Sequence, residues 1–148
     1  MSSLLLLSGP NLNLLGERQP EVYGTDALAD HVARAASRAE EHGFALEHLQ
    51  SDHEGDLVEA VHAARGRHDA LIVNAAATTH YGWGLHDALA AYDGPVVELH
   101  LSNPFAREPW RHTSVVSPVA DVVICGAGGL GYRLAVDAAA GLLEQRRG

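Results

Sequence analysis

Glu98 and His100 stand two residues apart in the apolar run Val96–His100, where an extended strand points both side chains to one face. A carboxylate beside an imidazole stabilises the cation and can fix the ring's orientation, an arrangement suited to a general acid. A buried pair that only satisfies itself is the competing reading. A second pairing lies in the loop Gly9–Gly24, where Arg18 precedes Tyr23 by little more than a helical turn. A free phenol has a pKa of about 10, so it serves as a base only where a cation lowers that value. Arginine suits that task because it never deprotonates, although the spacing alone fits a packing tyrosine equally well. Arg107 and Arg111 follow the Val96–His100 run and, with Arg18, place three of ten basic residues in loops near these groups. A cationic pocket in an acidic chain points to a small anionic ligand; for any one of them, an ion pair with Glu108 or its neighbours is the alternative.

Such residues need a scaffold. Five short apolar runs are visible: Leu4–Ser8, Phe44–Leu49, Ala70–Asn74, Val96–His100 and Asp121–Cys125. Several are continuous Leu, Val and Ile rather than alternating, as in parallel strands covered on both faces. Helical stretches lie between and after them: Thr25–His42, Gly55–Arg67, Leu85–Tyr92 and Leu130–Arg146, with Thr25 and Asp26 available as caps for the first and Gly43 to end it. Alternating strands and helices predict an α/β fold of three layers: a flavodoxin-like, doubly wound, five-stranded parallel sheet in the order 2-1-3-4-5. No linker or repeat interrupts the chain, which reads as one domain over 1–148. In such sheets ligands bind beyond the carboxyl ends of the strands. Those ends carry Asn11 just past the first run, Asn74 on the third, and Glu98 with His100 on the fourth.

Composition narrows the classes. The chain has 148 residues, 47% of them apolar, and a formal charge of -9, which argues against nucleic-acid or membrane-surface partners. All ten basic residues are arginine, so lysine chemistry (Schiff bases, pyridoxal enzymes, P-loops) is excluded for the side chains. A lone Cys125 forms no internal disulfide, and Met1–Pro10 has no basic region before its leucine run, so a cytoplasmic location is expected. His31, His42, His62 and His68 fall among charged helical residues and are expected to be solvated. Gly126-Ala127-Gly128-Gly129-Leu130-Gly131 fits a dinucleotide-loop pattern, yet no strand follows its helix to carry a ribose-binding acid, so a tight strand-to-helix turn is expected. An FMN-binding flavodoxin rests on fold alone. Isolated His80, His86 and His100 lack the ligand spacing of a metal site.

Taken in order, these stretches resemble the type II 3-dehydroquinate dehydratase family over nearly the whole chain. The resemblance is carried by Gly9–Gly16, Arg18–Gly24, Gln50–Gly55, Asn74–His80, Asp87–Leu89, Glu98–Asn103, Ala106–Arg111, Ser117-Pro118 and Gly126–Leu134. It implies dehydration of 3-dehydroquinate to 3-dehydroshikimate through an enolate, within the shikimate and aromatic amino acid pathway or quinate breakdown. It also implies no metal or organic cofactor and a homododecamer built of trimers. By the same resemblance Tyr23 takes a proton from C2, Arg18 on a mobile lid keeps the phenolate ready, and Asn11 holds a water at the enolate. His100, oriented by Glu98, protonates the departing C1 hydroxyl. The amides of Leu101 and Ser102 hold the carboxylate, Asn74, His80 and Arg111 bind ring hydroxyls, and Asp87 reaches a neighbouring subunit's site.

Departures concentrate after His80, where Tyr81-Gly82-Trp83-Gly84-Leu85-His86 replaces the family's usual Thr-Ser-Val-Ala-(Leu/Ile)-Arg; a glycine usual near Ala76 is also lost, and Gln19 stands for a glutamate. Bulky Tyr81 and Trp83 are expected to reshape the far side of the pocket. They motivate the alternative of a dehydratase acting on a modified, for example aminated, dehydroquinate in a specialised pathway.

Overall fold

The leucine run at the start alternates between two cores. In the computed structural model, which describes residues 2–147 and leaves Met1 and Gly148 outside, β1 spans Ser2–Ser8. Leu4 and Leu6 enter one hydrophobic cluster, Leu5 and Leu7 the other. Each fully buried leucine contributes about 2 kcal/mol of transfer free energy, which is why a strand covered on both faces is apolar throughout. The remaining strands are β2 (Phe44–Gln50), β3 (Ala70–Asn74), β4 (Val96–His100) and β5 (Val122–Cys125). All pair in parallel, in the order β2-β1-β3-β4-β5, the doubly wound arrangement expected.

Helices cover both faces. A short α1 (Pro20–Tyr23) lies inside the loop after β1; α2 (Leu28–Glu41), α3 (Glu54–Ala64), α4 (Trp83–Ala90) and α5 (Leu130–Arg147) form the layers. The first core packs α2 and α5 on the sheet through Ala35, Ala39, Tyr132, Ala135, Val136 and Ala139. The other packs α3 and α4 through Leu57, Val61, Leu85 and Leu89. No helix among the described residues is long and apolar enough to cross a membrane.

Three local expectations are corrected. Thr25 and Asp26 do not cap α2: Ala27 occupies that position, its N–H donating to Asp30 Oδ2 at 2.9 Å, while Asp26 pairs with Arg34 at 2.7 Å. A carboxylate on the third helical residue supplies what the cap side chain lacks. α4 begins two residues before Leu85 because Glu54 reaches over from α3 and accepts the Leu85 N–H at 3.1 Å. Cβ atoms at Gly82 and Gly84 would lie 3.1 and 3.2 Å from that carboxylate oxygen, so these two glycines leave it room. His31 and His68 are buried rather than solvated: His68 meets Ser3 Oγ at 3.0 Å, and His31 stacks on Tyr132 with centroids 4.9 Å apart. Both sit on inward positions that charged neighbours in sequence disguise.

His31 is 2% exposed, and its Nε2 is the one buried side-chain polar atom without a partner among the described residues. Burial holds this imidazole below its ordinary value of 6.5, Arg34 adds to the depression, and Asp26 and Asp30 oppose it. The unfolded chain therefore binds more protons than the folded one once pH falls below about 6.5, and stability declines in that direction. The His31→Phe variant, which keeps a ring against Tyr132, is expected to show a smaller fall in melting temperature between pH 7 and pH 5. His48 and His80 are depressed in the same sense, so part of the slope remains. Identical pH slopes for the two proteins would contradict this account.

Candidate active site

The carboxyl ends of β1, β3 and β4 open into a cavity of about 140 Å³. That is well below the roughly 300 Å³ at which drug-sized pockets begin, and it suits a small ligand. Asn11, Arg18, Tyr23, Asn74, His80, His100, Leu101, Ser102 and Arg111 all line it, with Arg107 and Trp110. Glu98 sits behind His100, and Asp87 lies outside this protomer's cavity, on α4.

The loop after β1 is folded onto the core rather than free. Leu12 and Leu15 are buried, and Pro20 starts α1, where its missing N–H is no loss. Tyr23 thus ends a helical turn, and the guanidinium groups of Arg18 and Arg107 each lie 5.2 Å from its ring centroid. The phenol therefore has two cationic neighbours where the sequence offered one. Asn11 holds left-handed backbone (φ 68°), which asparagine tolerates. Its N–H donates to Asp52 Oδ1 at 3.0 Å, and Gln50 Nε2 ties the Gly9 carbonyl at 3.2 Å, so the end of β2 anchors this loop.

His100 Nε2 meets Glu98 Oε2 at 2.6 Å. Glu98 is 1% exposed, and its carboxylate also accepts from Ser114 Oγ (2.7 Å), Thr79 Oγ1 (3.2 Å) and the Ser117 hydroxyl. Burial pushes this carboxyl up, but the hydrogen bonds from His100, Ser117 and Ser114 outweigh it and hold the group below the ordinary carboxylate range. A buried anion so satisfied fixes the imidazole and leaves Nδ1 as the uncommitted ring nitrogen. The three hydroxyls come from separate segments. Thr79 and Ser117 fall in stretches that carry the family resemblance, whereas Ser114 lies outside them and nothing in its sequence surroundings marks it.

Around them, β3 ends in Asn74, whose Nδ2 donates to the Tyr132 hydroxyl at 3.3 Å while its Oδ1 accepts from Ala76 N at 3.3 Å. One amide hydrogen remains at the cavity wall. Burial pushes Tyr132 up to about 12, so this phenol stays neutral. His80 Nδ1 donates to the Thr113 carbonyl at 2.6 Å. Burial is the main force holding His80 below its usual value, aided by His100 and Arg111 and opposed by the Thr113 bond, so the neutral ring offers Nε2 as an acceptor. Leu101 and Ser102 turn their carbonyls to Gly128 N (2.9 Å) and Gly126 N (3.0 Å). Because a trans peptide sets N–H opposite C=O, the Ser102 N–H points away from that turn. Gly126 and Gly128 adopt φ 85° and 60°, so the glycine-rich segment is a tight turn that braces this loop. No three His, Cys, Asp or Glu side chains among the described residues cluster as around a metal ion.

The comparisons with known proteins decide the family. The model of the family described as "Dehydroquinase class II" matches residues 2–140. The chain belongs to the class II dehydroquinase family. It is 51% identical to the 3-dehydroquinate dehydratase of Corynebacterium glutamicum (strain R), over 96% of this chain and 98% of that protein. It is 48% identical to 3-dehydroquinate dehydratase 2 of Pseudomonas putida, over 97% and 96%. The crystal structure of the type II dehydroquinase from Propionibacterium acnes superposes with a TM-score of 0.91 at 38% identity, covering 95% of this chain and 97% of that one.

Within this dehydroquinase protomer, the segment Tyr81–His86 stays clear of the cavity that it was expected to reshape. Tyr81 and Trp83 are 59% and 62% exposed, and no residue of that segment lines the cavity. His86 Nδ1 is held by the Val115 carbonyl at 2.7 Å. The departure is taken up by the start of α4 and by the protomer's surface, and the relatives named 3-dehydroquinate dehydratase favour the plain substrate over a modified one. The missing glycine leaves a mark of another kind: Ala76, on the cavity wall, adopts φ 53°. A side chain in left-handed backbone costs about 1 kcal/mol. Ala76→Gly is therefore expected to stabilise the dehydroquinase by that amount and raise its melting temperature by roughly 2–4 °C. An unchanged or lower melting temperature would show that the strain is offset locally.

Proposed function

We propose that this dehydroquinase converts 3-dehydroquinate to 3-dehydroshikimate by elimination through an enolate, with Tyr23 as base and His100 as acid. The observation that carries the reading is that a phenol flanked by two guanidinium groups and an imidazole anchored by a buried carboxylate line one small cavity. Tyr23 removes the C2 proton, made acidic by the adjacent ketone, with the Arg18 and Arg107 guanidinium groups each 5.2 Å from its ring centroid. The enolate oxygen is stabilised by a water held at Asn11. The enolate then expels the C1 hydroxyl, which takes a proton from His100 and leaves as water while the C1–C2 double bond forms. Glu98 keeps the imidazole oriented through its 2.6 Å hydrogen bond.

The substrate carboxylate lies at the amides of Leu101 and Ser102, and the ring hydroxyls at Asn74, His80 and Arg111. Neutral His80 accepts and Arg111 donates, the complement a polyol requires. The whole chain acts as one catalytic domain, in the cytoplasm, as a homo-oligomer of trimers that associate into a dodecamer. Asp87, outside its own protomer's cavity, is the residue suited to reach a neighbouring site. Proton NMR tests the reaction itself: a vinylic resonance growing in a mixture of the protein and 3-dehydroquinate is expected, and its absence with folded protein would count against the reading.

A further inference from the structure

We infer that Trp110 is a positioning residue for the reaction, holding the two side chains that read the ring hydroxyls, Arg111 and His80. This rests on the dehydration reading above. Trp110 lies on the turn Pro109–His112 at the rim of the cavity, 52% exposed, and none of the roles assigned so far uses it. Its ring face carries the Arg111 guanidinium, with Cζ 4.1 Å from the ring centroid. Its ring also stands nearly perpendicular to His80, with centroids 5.3 Å apart and an interplanar angle of 83°.

Each of the two clients is fixed elsewhere by one bond. Arg111 Nε donates to Glu108 Oε2 at 3.1 Å, and His80 Nδ1 donates to the Thr113 carbonyl at 2.6 Å. One hydrogen bond leaves a long guanidinium arm or an imidazole free to rotate about it. Stacking on the indole removes that freedom for Arg111 and keeps its two terminal nitrogens free for ligand. Edge contact does the same for His80 and leaves Nε2 open. One indole thus sets a donor fork and an acceptor at fixed separation, which is what discriminates a polyol ring from a plain one. Because Trp110 is in ring contact with neither Tyr23 nor the Glu98–His100 pair, its loss acts on binding rather than on proton transfer.

The test compares Trp110→Ala, Trp110→Leu and Trp110→Phe with the wild-type protein on 3-dehydroquinate and on a deoxy analogue that keeps the departing C1 hydroxyl but lacks the other ring hydroxyls. Alanine and leucine are expected to raise KM about tenfold with kcat within about threefold, and phenylalanine, which keeps an aromatic face, to restore KM. The rise in KM is expected to vanish on the deoxy analogue, a selectivity that a general loss of structure does not produce. Leucine preserves bulk, so it decides the matter if the alanine variant folds poorly. Trp83→Phe, which alters the other tryptophan at the exposed start of α4, is expected to change neither constant. An unchanged KM in Trp110→Leu, or equal KM effects on both substrates, would overturn the inference while leaving dehydration standing. Failure of the wild-type protein to turn over 3-dehydroquinate would overturn the reading beneath it and this inference together.

Discussion

Tyr23→Phe is expected to lower kcat by about a thousandfold or more while product affinity stays within a few-fold. The ring remains, and with it the faces that Arg18 and Arg107 approach at 5.2 Å, so the cavity keeps its shape and its cations. What disappears is the single oxygen able to take the C2 proton. The other candidates are engaged elsewhere: His100 is tied to Glu98 at 2.6 Å, His80 is held by the Thr113 carbonyl at 2.6 Å with its Nε2 assigned to a ring hydroxyl, the Tyr132 phenol is buried and neutral, and the chain contains no lysine. Steady-state kinetics with calorimetric titration of product separate the two effects. A variant that keeps its turnover would remove Tyr23 from the chemistry, and one that loses binding with its turnover would make it a packing residue.

His100→Ala is expected to cost about a hundred- to a thousandfold in kcat with a small change in KM. The loss has a chemical signature, because hydroxide is a poor leaving group and needs its proton. An analogue carrying at C1 a group that departs as a stable anion is expected to bring the variant to within about tenfold of wild type. Tyr23→Phe should remain inactive on that same analogue. Equal losses on both substrates would mean that His100 does not act on the departing group. The variant should also lose stability by about 1–3 kcal/mol, since Glu98 keeps its hydroxyl donors but loses the imidazole hydrogen bond at 2.6 Å while 1% exposed.

The sheet was readable because its strands are buried on both faces: once helices alternate with it, a continuous run such as Leu4–Leu7 fits a central parallel strand and little else. Strand ends then pointed to the site, and the two-residue period linked Glu98 to His100 without any tertiary information. Features set by distant segments were not legible. Arg107 reaches the Tyr23 ring from the loop after β4, and Glu54 caps α4 from another helix. The hydroxyls of Thr79, Ser114 and Ser117 converge on Glu98 from separate turns. Backbone conformation was equally hidden: the residue type of Ala76 gives no sign of its left-handed φ. Bulk at Tyr81 and Trp83 says nothing of direction: a side chain adjacent in sequence to His80 need not share its cavity, and both are exposed in this protomer.

The most direct test of the account is the ultraviolet absorbance of purified protein mixed with 3-dehydroquinate, run beside Tyr23→Phe. Elimination creates a conjugated enone that the substrate lacks, so its band reports the reaction without a coupling enzyme. The account predicts prompt growth of that band with the wild-type chain and almost none with a folded Tyr23→Phe protein. No growth from folded wild-type protein, or equal growth from both, would contradict it.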